Sequence, residues 1–135
     1  IYESLSIKPK EILKSRDYVL VYENEDQIKN IKIDKDLFDK KNIDPGGVVI
    51  TAKGNNSDFV SRYFVPQCSF FEDPVTGSTH CSLVPYWSKK LGKQKLTSMQ
   101  LSERGGEMFC IDKGDRVLIN GKAQTYSVGE VFLKN

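Results

Sequence analysis

One ten-residue stretch, Glu72-Asp73-Pro74-Val75-Thr76-Gly77-Ser78-Thr79-His80-Cys81, gathers two carboxylates, three hydroxyls, a glycine, an imidazole and a thiol. Its second half stands just before a segment with helical periodicity. The first N–H groups of a helix have no internal partners and point outward as a ready anion site. Gly77 lets a ligand approach the backbone closely, and a hydroxyl at Ser78 or Thr79 adds a donor. The ligand chemistry this implies is a carboxylate or a phosphate. Asp73 lies five residues before Ser78, on the loop leading into the same corner. A carboxylic acid held near a bound anion keeps its proton more readily, which makes it a proton shuttle. The same residues also fit a plainer role. Thr76, Ser78 or Thr79 can cap the helix, Asp73 can favour its positive end, and Asp-Pro is an ordinary turn signal.

Other chemistry is narrower. His80 and Cys81 are adjacent, and neighbours on a helix point about 100° apart, so they do not form a nucleophile–base pair. Cys81 reads as a core residue and His80 as a partly exposed one. The segment G-S-T-H does not match the G-x-S-x-G nucleophile elbow, which excludes a serine hydrolase of that type. His80 is the one histidine, so no site built on two histidines exists within this chain. Cys68, Cys81 and Cys110 stand 13 and 29 residues apart with no C-x-x-C pair. They read as buried free thiols of a reducing cytosol, hence a cytoplasmic protein with no metal. No phosphate-cradling glycine loop is present, consistent with no nucleotide cofactor. In Ser102-Glu103-Arg104-Gly105-Gly106 the glycines suit a bulge or tight turn, and Arg104 is an unspecific anion clamp.

These residues need a scaffold. A chain of 135 residues with 39% hydrophobic and 28% charged residues has ordinary globular composition and the length of one domain, spanning 1–135. A folded chain of 15.3 kDa is expected to expose roughly 7,000 Å². A net charge of +2 is too balanced for a nucleic-acid face, and no apolar run reaches membrane-spanning length. Asn24 to Gln27 starts one helix, with Ile28 and Ile31 at helical spacing, and Asp34 to Phe38 reads as another short turn. Val48 to Ala52 and Phe59 to Val65 are strand signals. Leu83, Trp87 and Leu91 repeat at four within Gly77 to Leu91, a helix closed by Gly92 and kinked or started late by Pro85. Leu96 to Leu101 and Glu107 to Ile111 follow as strands. Next, Arg116 to Ile119 and Lys122 to Val128 read as a hairpin turning at Asn120-Gly121, with a last strand at Val131 to Leu133. The class is α+β: a mostly antiparallel sheet packed around one principal helix.

The stretch Glu72 to Trp87 (EDPVTGSTHCSLVPYW) resembles the signature of the phenazine-biosynthesis PhzF-like family, E-D-P-V-T-G-S-A-H followed by a P-Y-W-type helix. Gly47 to Ala52 (GVVITA), Arg62 to Pro66 (RYFVP), Gln100 to Gly106 (QLSERGG) and Asp115 to Ala123 (DRVLINGKA) resemble further family segments in the same order. Two departures are Thr79 in place of alanine, which narrows the pocket, and Leu101 in place of glycine. The resemblance implies a diaminopimelate epimerase-like fold: two similar domains, each a sheet curled around a central helix, with the active site between them. This chain resembles the second, C-terminal domain. Asp73 then corresponds to a catalytic, substrate-contacting aspartate, and Gly77, Ser78 and Thr79 to the carboxylate-binding corner. His80 and Arg104 match motif positions without assigned roles.

The implied activity is a cofactor-free proton transfer, a 1,3-type shift or an epimerisation, on a small carboxylic acid. The resemblance places a catalytic glutamate and a substrate-contacting histidine in an N-terminal domain, the partner of this chain, and implies homodimers. The missing initiator methionine and the match to one domain of two carry the expectation that the chain is a fragment. A second reading from another class is a non-catalytic carboxylate-binding or interaction domain on the same scaffold.

Overall fold

The computed structural model describes residues 1–40 and 46–133. A short 3₁₀ turn at Tyr2–Ser4 precedes β1 (Glu11–Lys14), β2 (Tyr18–Val21), α1 (Glu25–Asn30), α2 (Lys35–Asp39), β3 (Val48–Lys53) and β4 (Phe59–Phe64). Then come β5 (Glu72–Asp73), α3 (His80–Leu91), β6 (Lys95–Gln100), β7 (Gly106–Asp112) and β8 (Val117–Gly121). The strands form one sheet in the order β1-β2-β3-β4-β6-β7-β8, with β5 also on β4. Five pairings are antiparallel, while β2–β3 and β4–β6 are parallel. Parallel neighbours need crossovers. One runs through α1 and α2, the other through β5 and α3.

The two crossovers cover opposite faces of the sheet. Leu20, Val48, Ile50, Val60 and Phe64 pack with Ile28 and Phe38 of the short helices. Val19, Val49, Phe59, Tyr63, Leu96 and Met108 pack with Leu83, Val84 and Trp87 of α3. Burial on both faces explains why VVITA and FVSRYF read as near-continuous apolar runs. The sheet curls around α3, whose Tyr86 hydroxyl donates to Glu11 on β1 at 2.8 Å while its other side meets β7 and β8. This is the expected α+β architecture.

Asn24 and Asp34 cap α1 and α2, each accepting from the N–H three residues on at 3.0 Å. Gly92, at φ 66°, closes α3 in the left-handed region. The helix starts late, at His80, after a tight turn in which His80 N–H donates to the Gly77 carbonyl at 3.0 Å. Its buried stripe includes Leu83 and Trp87 as expected.

Three expectations are corrected. The chain does not turn at Asn120-Gly121: those residues continue β8, facing Phe109 and Met108 of β7. The turn is at Asp112 to Gly114, where Gly114 has φ 86° and its N–H donates to the Asp112 carboxylate at 2.9 Å. Ladder pairing with β7 outweighs a local turn preference. Residues 122–133 form no strand. Tyr126, Val128, Val131, Phe132 and Leu133 are all at least 85% exposed, and the total surface is 8843 Å², above the amount expected from mass. Finally, His80 is buried and Cys81 exposed, the reverse of expectation, because His80 lies on the face of α3 toward the sheet. Of the thiols, Cys110 alone is buried, and burial pushes it up to about 11.

Among the described residues no helix is long and apolar enough to cross a membrane.

Candidate active site

Asp73 is placed by a fork in the sheet. β6 pairs with β4 only from Phe59 to Ser61, and β5 takes the same neighbour at Tyr63 and Phe64. Arg62 secures this point with a two-pronged bridge to Glu72, Nε to Oε1 at 2.7 Å and the terminal nitrogen to Oε2 at 2.8 Å. Charge-assisted bonds of this geometry are roughly twice as strong as neutral ones. On the same strand Tyr63, opposite Asp73, donates to the buried Asp17 carboxylate at 2.9 Å. Burial, and then that bond, push its phenol up to about 12.

The loop from Asp73 to Thr76 is held by β6 and the turn after it. The Gln100 side chain donates to the Asp73 carbonyl at 2.7 Å and accepts from Thr76 N–H at 2.8 Å. Ser102 donates to the Pro74 carbonyl at 2.7 Å. A Cβ on Gly106 would lie 2.3 Å from a Val75 methyl, so the chain needs glycine there. The Q-x-S-x-x-G-G pattern is therefore a cradle for the Asp73 loop, a role not readable from its spacing. Thr76 itself donates its hydroxyl to Asp73 Oδ2 at 2.6 Å.

The next three residues make the open corner. Gly77 and Ser78 are exposed. Among the described residues the N–H groups of Gly77, Ser78 and Thr79 and the Ser78 hydroxyl have no hydrogen-bond partner. A helix dipole favours negative charge at this end. No side chain caps α3, which removes the capping role considered for Thr76, Ser78 and Thr79. Thr79 differs from its neighbours: it is buried, and its hydroxyl donates to the Thr76 carbonyl at 3.0 Å. Its side chain thus supports the corner from within. A cleft of about 590 Å³ opens beside Gly77, lined also by Arg104, Gly105, Gly106 and Lys122. Arg104 makes no hydrogen bond or ion pair among the described residues, whereas Lys122 pairs with Glu107 at 2.6 Å. Another cavity of about 590 Å³, near Asn55, Asp58, Lys93 and Phe109, lies away from this corner, and its Asp58 and Lys93 neutralise each other at 2.6 Å.

His80 is a tether. Its Nδ1–H donates to the Thr76 carbonyl at 2.9 Å, which leaves Nε2 to accept from the Ser98 hydroxyl at 2.9 Å. Burial holds the imidazole below its usual range, partly opposed by the bond to Thr76. The unfolded chain therefore binds this proton more readily, and native stability is lost as pH falls through about 6.5 and below. Glu25 and Asp58 are held below the ordinary carboxylate range, so their contributions persist in that interval. We expect the unfolding midpoint to drop between pH 7 and pH 5, and to drop much less in His80→Gln. An equal drop in the variant would contradict this assignment.

The family model described as "Phenazine biosynthesis-like protein" matches residues 6–129. The chain is 42% identical over 132 residues to "Uncharacterized isomerase PA3578" of Pseudomonas aeruginosa, covering 97% of this chain and 50% of that protein. It is 36% identical over 136 residues to "Uncharacterized isomerase BH0283" of Halalkalibacterium halodurans, covering 98% and 51%. A crystal structure of a PhzF-family protein from Enterococcus faecalis superposes with a TM-score of 0.86 at 38% identity, covering 97% of this chain and 50% of the other. A Clostridium difficile structure titled as a putative PhzC/PhzF protein gives 0.83 at 43%, covering 94% and 49%. The chain spans about half the length of the curated relatives it matches.

Proposed function

The chain belongs to the phenazine biosynthesis-like protein family, and on that premise we propose that it is the C-terminal half of an isomerase moving a proton on a small carboxylic acid. The observation that carries this reading is one arrangement: a half-buried carboxylate, Asp73, tied through Thr76 to a helix start where, among the described residues, three N–H groups and a hydroxyl have no partner. The N–H groups of Gly77, Ser78 and Thr79 and the Ser78 hydroxyl hold the substrate carboxylate, with Arg104 adding positive charge across the cleft. Asp73 then serves one proton-transfer position as general acid or base. A facing N-terminal half supplies the group for the second position and closes the cleft against water. The exposed apolar tail, residues 122–133, fits a neighbour that covers it.

Ser78→Ala tests the binding half of this reading. In the complete protein it should weaken carboxylate binding by about 1.5–3 kcal/mol, the value of a charge-assisted hydrogen bond. Because the Ser78 side chain is exposed and bonded to nothing among the described residues, and its carbonyl keeps the Cys81 N–H in the variant, the unfolding midpoint should stay unchanged. Titration calorimetry with a turned-over acid and thermal unfolding measure the two effects. A stability loss with intact binding would return Ser78 to a purely structural role and favour the non-catalytic scaffold.

A further inference from the structure

We infer that Gln100 and Thr76 form a one-way hydrogen-bond relay that engages Oδ2 of Asp73 and leaves Oδ1 as the oxygen that carries the transferred proton. The inference rests on the proposed acid–base role of Asp73. Gln100 and Thr76 are then positioning residues for the reaction.

The polarity of the relay follows from what each atom can do. Gln100 is buried at 1% exposure, and its Oε1 accepts from Thr76 N–H at 2.8 Å. That bond fixes which end of the amide is which. Both hydrogens of Nε2 are then directed, one to the Asp73 carbonyl at 2.7 Å and one to Thr76 Oγ1 at 3.0 Å. Since Thr76 Oγ1 already accepts from the amide, its own proton points to Asp73 Oδ2, 2.6 Å away. A proton on Oδ2 would turn it into a hydroxyl oxygen, a poorer acceptor for the Thr76 hydroxyl than the carbonyl oxygen it remains when the proton sits on Oδ1. Oδ1 carries no such restriction: among the described residues no hydrogen bond engages it.

The proton therefore moves at Oδ1. As an Oδ1–H bond breaks, a carbon–hydrogen bond forms on the substrate, and in the reverse direction the electron pair of the broken carbon–hydrogen bond stays on the substrate. No oxidant or reductant enters. The bond to Thr76 also restrains rotation of the carboxyl group, so Oδ1 keeps its place as the unengaged oxygen.

The test uses the complete protein carrying this chain. Hydrogen exchange at carbon in D₂O is followed by proton NMR on a panel of 2-amino and β,γ-unsaturated carboxylic acids. Kinetics are then taken on the acid exchanging fastest. Thr76→Val, which keeps the shape and removes the hydroxyl, should lower kcat about tenfold to a hundredfold with KM nearly unchanged. Thr76→Ser should restore most of it. Gln100→Glu keeps the acceptor for Thr76 N–H and removes the amide donors. Its kcat should fall as well, and the double variant should be no slower than the slower single one, since both act through one relay. A readout without substrate is the Thr76 hydroxyl proton, expected as a slowly exchanging signal that Thr76→Val abolishes. Unchanged kcat in a folded Thr76→Val variant, or no slowly exchanging hydroxyl in the wild type, overturns the relay. Retained exchange in Asp73→Asn overturns the acid–base reading instead. Should no acid in the panel exchange, or Thr76→Val not fold, the hydroxyl signal in the wild type and in Gln100→Glu decides the relay alone.

Discussion

Asp73→Asn is expected to lower turnover of the complete protein on the order of 10²- to 10⁴-fold, the usual range for one acid–base group, while barely moving its unfolding midpoint. The two effects separate because the asparagine oxygen can still accept from the Thr76 hydroxyl, now at 2.6 Å from Oδ2. The loop also retains its main-chain bonds from Gln100 and Ser102, neither of which involves the Asp73 side chain. What the variant lacks is a group that can exchange a proton with carbon. Exchange kinetics in D₂O and thermal unfolding on one preparation decide the matter. Full turnover in the variant would leave Asp73 as part of a binding corner only.

Trp87→Ala should destabilise the protein by about 3–5 kcal/mol, against a typical total of about 5–15 kcal/mol. Trp87 is 6% exposed and stacks on Phe59 with ring centroids 6.0 Å apart and planes 6° from parallel. Phe59 also meets the His80 ring at 5.6 Å, so one buried phenylalanine joins both ends of the α3 inner face to β4. The indole N–H donates to the Thr51 hydroxyl at 2.9 Å, which in turn donates to the Val60 carbonyl at 2.7 Å. Truncation empties this volume between helix and sheet and leaves the first turn of α3 less firmly seated. Urea unfolding measures the loss, with Trp87→Phe as a milder control that keeps the ring. A loss below about 1 kcal/mol would show that the stack is not a principal anchor.

Much of this site was legible in advance because its signals are local. A glycine and hydroxyls directly before an apolar repeat announce a helix start with free N–H groups, and both the helix and the corner were found there. The inward turn of Thr79 and the burial of His80 were not legible. Which face of α3 meets the sheet depends on the turn at residues 77–79, and that turn is set by bonds to Thr76. Gln100 gave no signal as a site residue, since its partners lie 24 and 27 residues away. The strength of Asn-Gly as a turn marker misled at Asn120-Gly121 because the ladder with β7 contributes several bonds at once, more than one favourable dihedral pair.

By itself the sequence determined the elements whose apolar spacing and caps act over a few residues: the central strands, α3 with its Gly92 end, and the open helix start at Gly77 and Ser78. Only the tertiary structure decided the two parallel pairings, the fork that sets β5 beside β4, and the hold of Gln100 on Asp73 through Thr76. Contacts between distant residues have no local signature. They form because burying both faces of the sheet leaves each polar group of the Asp73 loop seeking a partner away from water, and β6 is the strand that provides one.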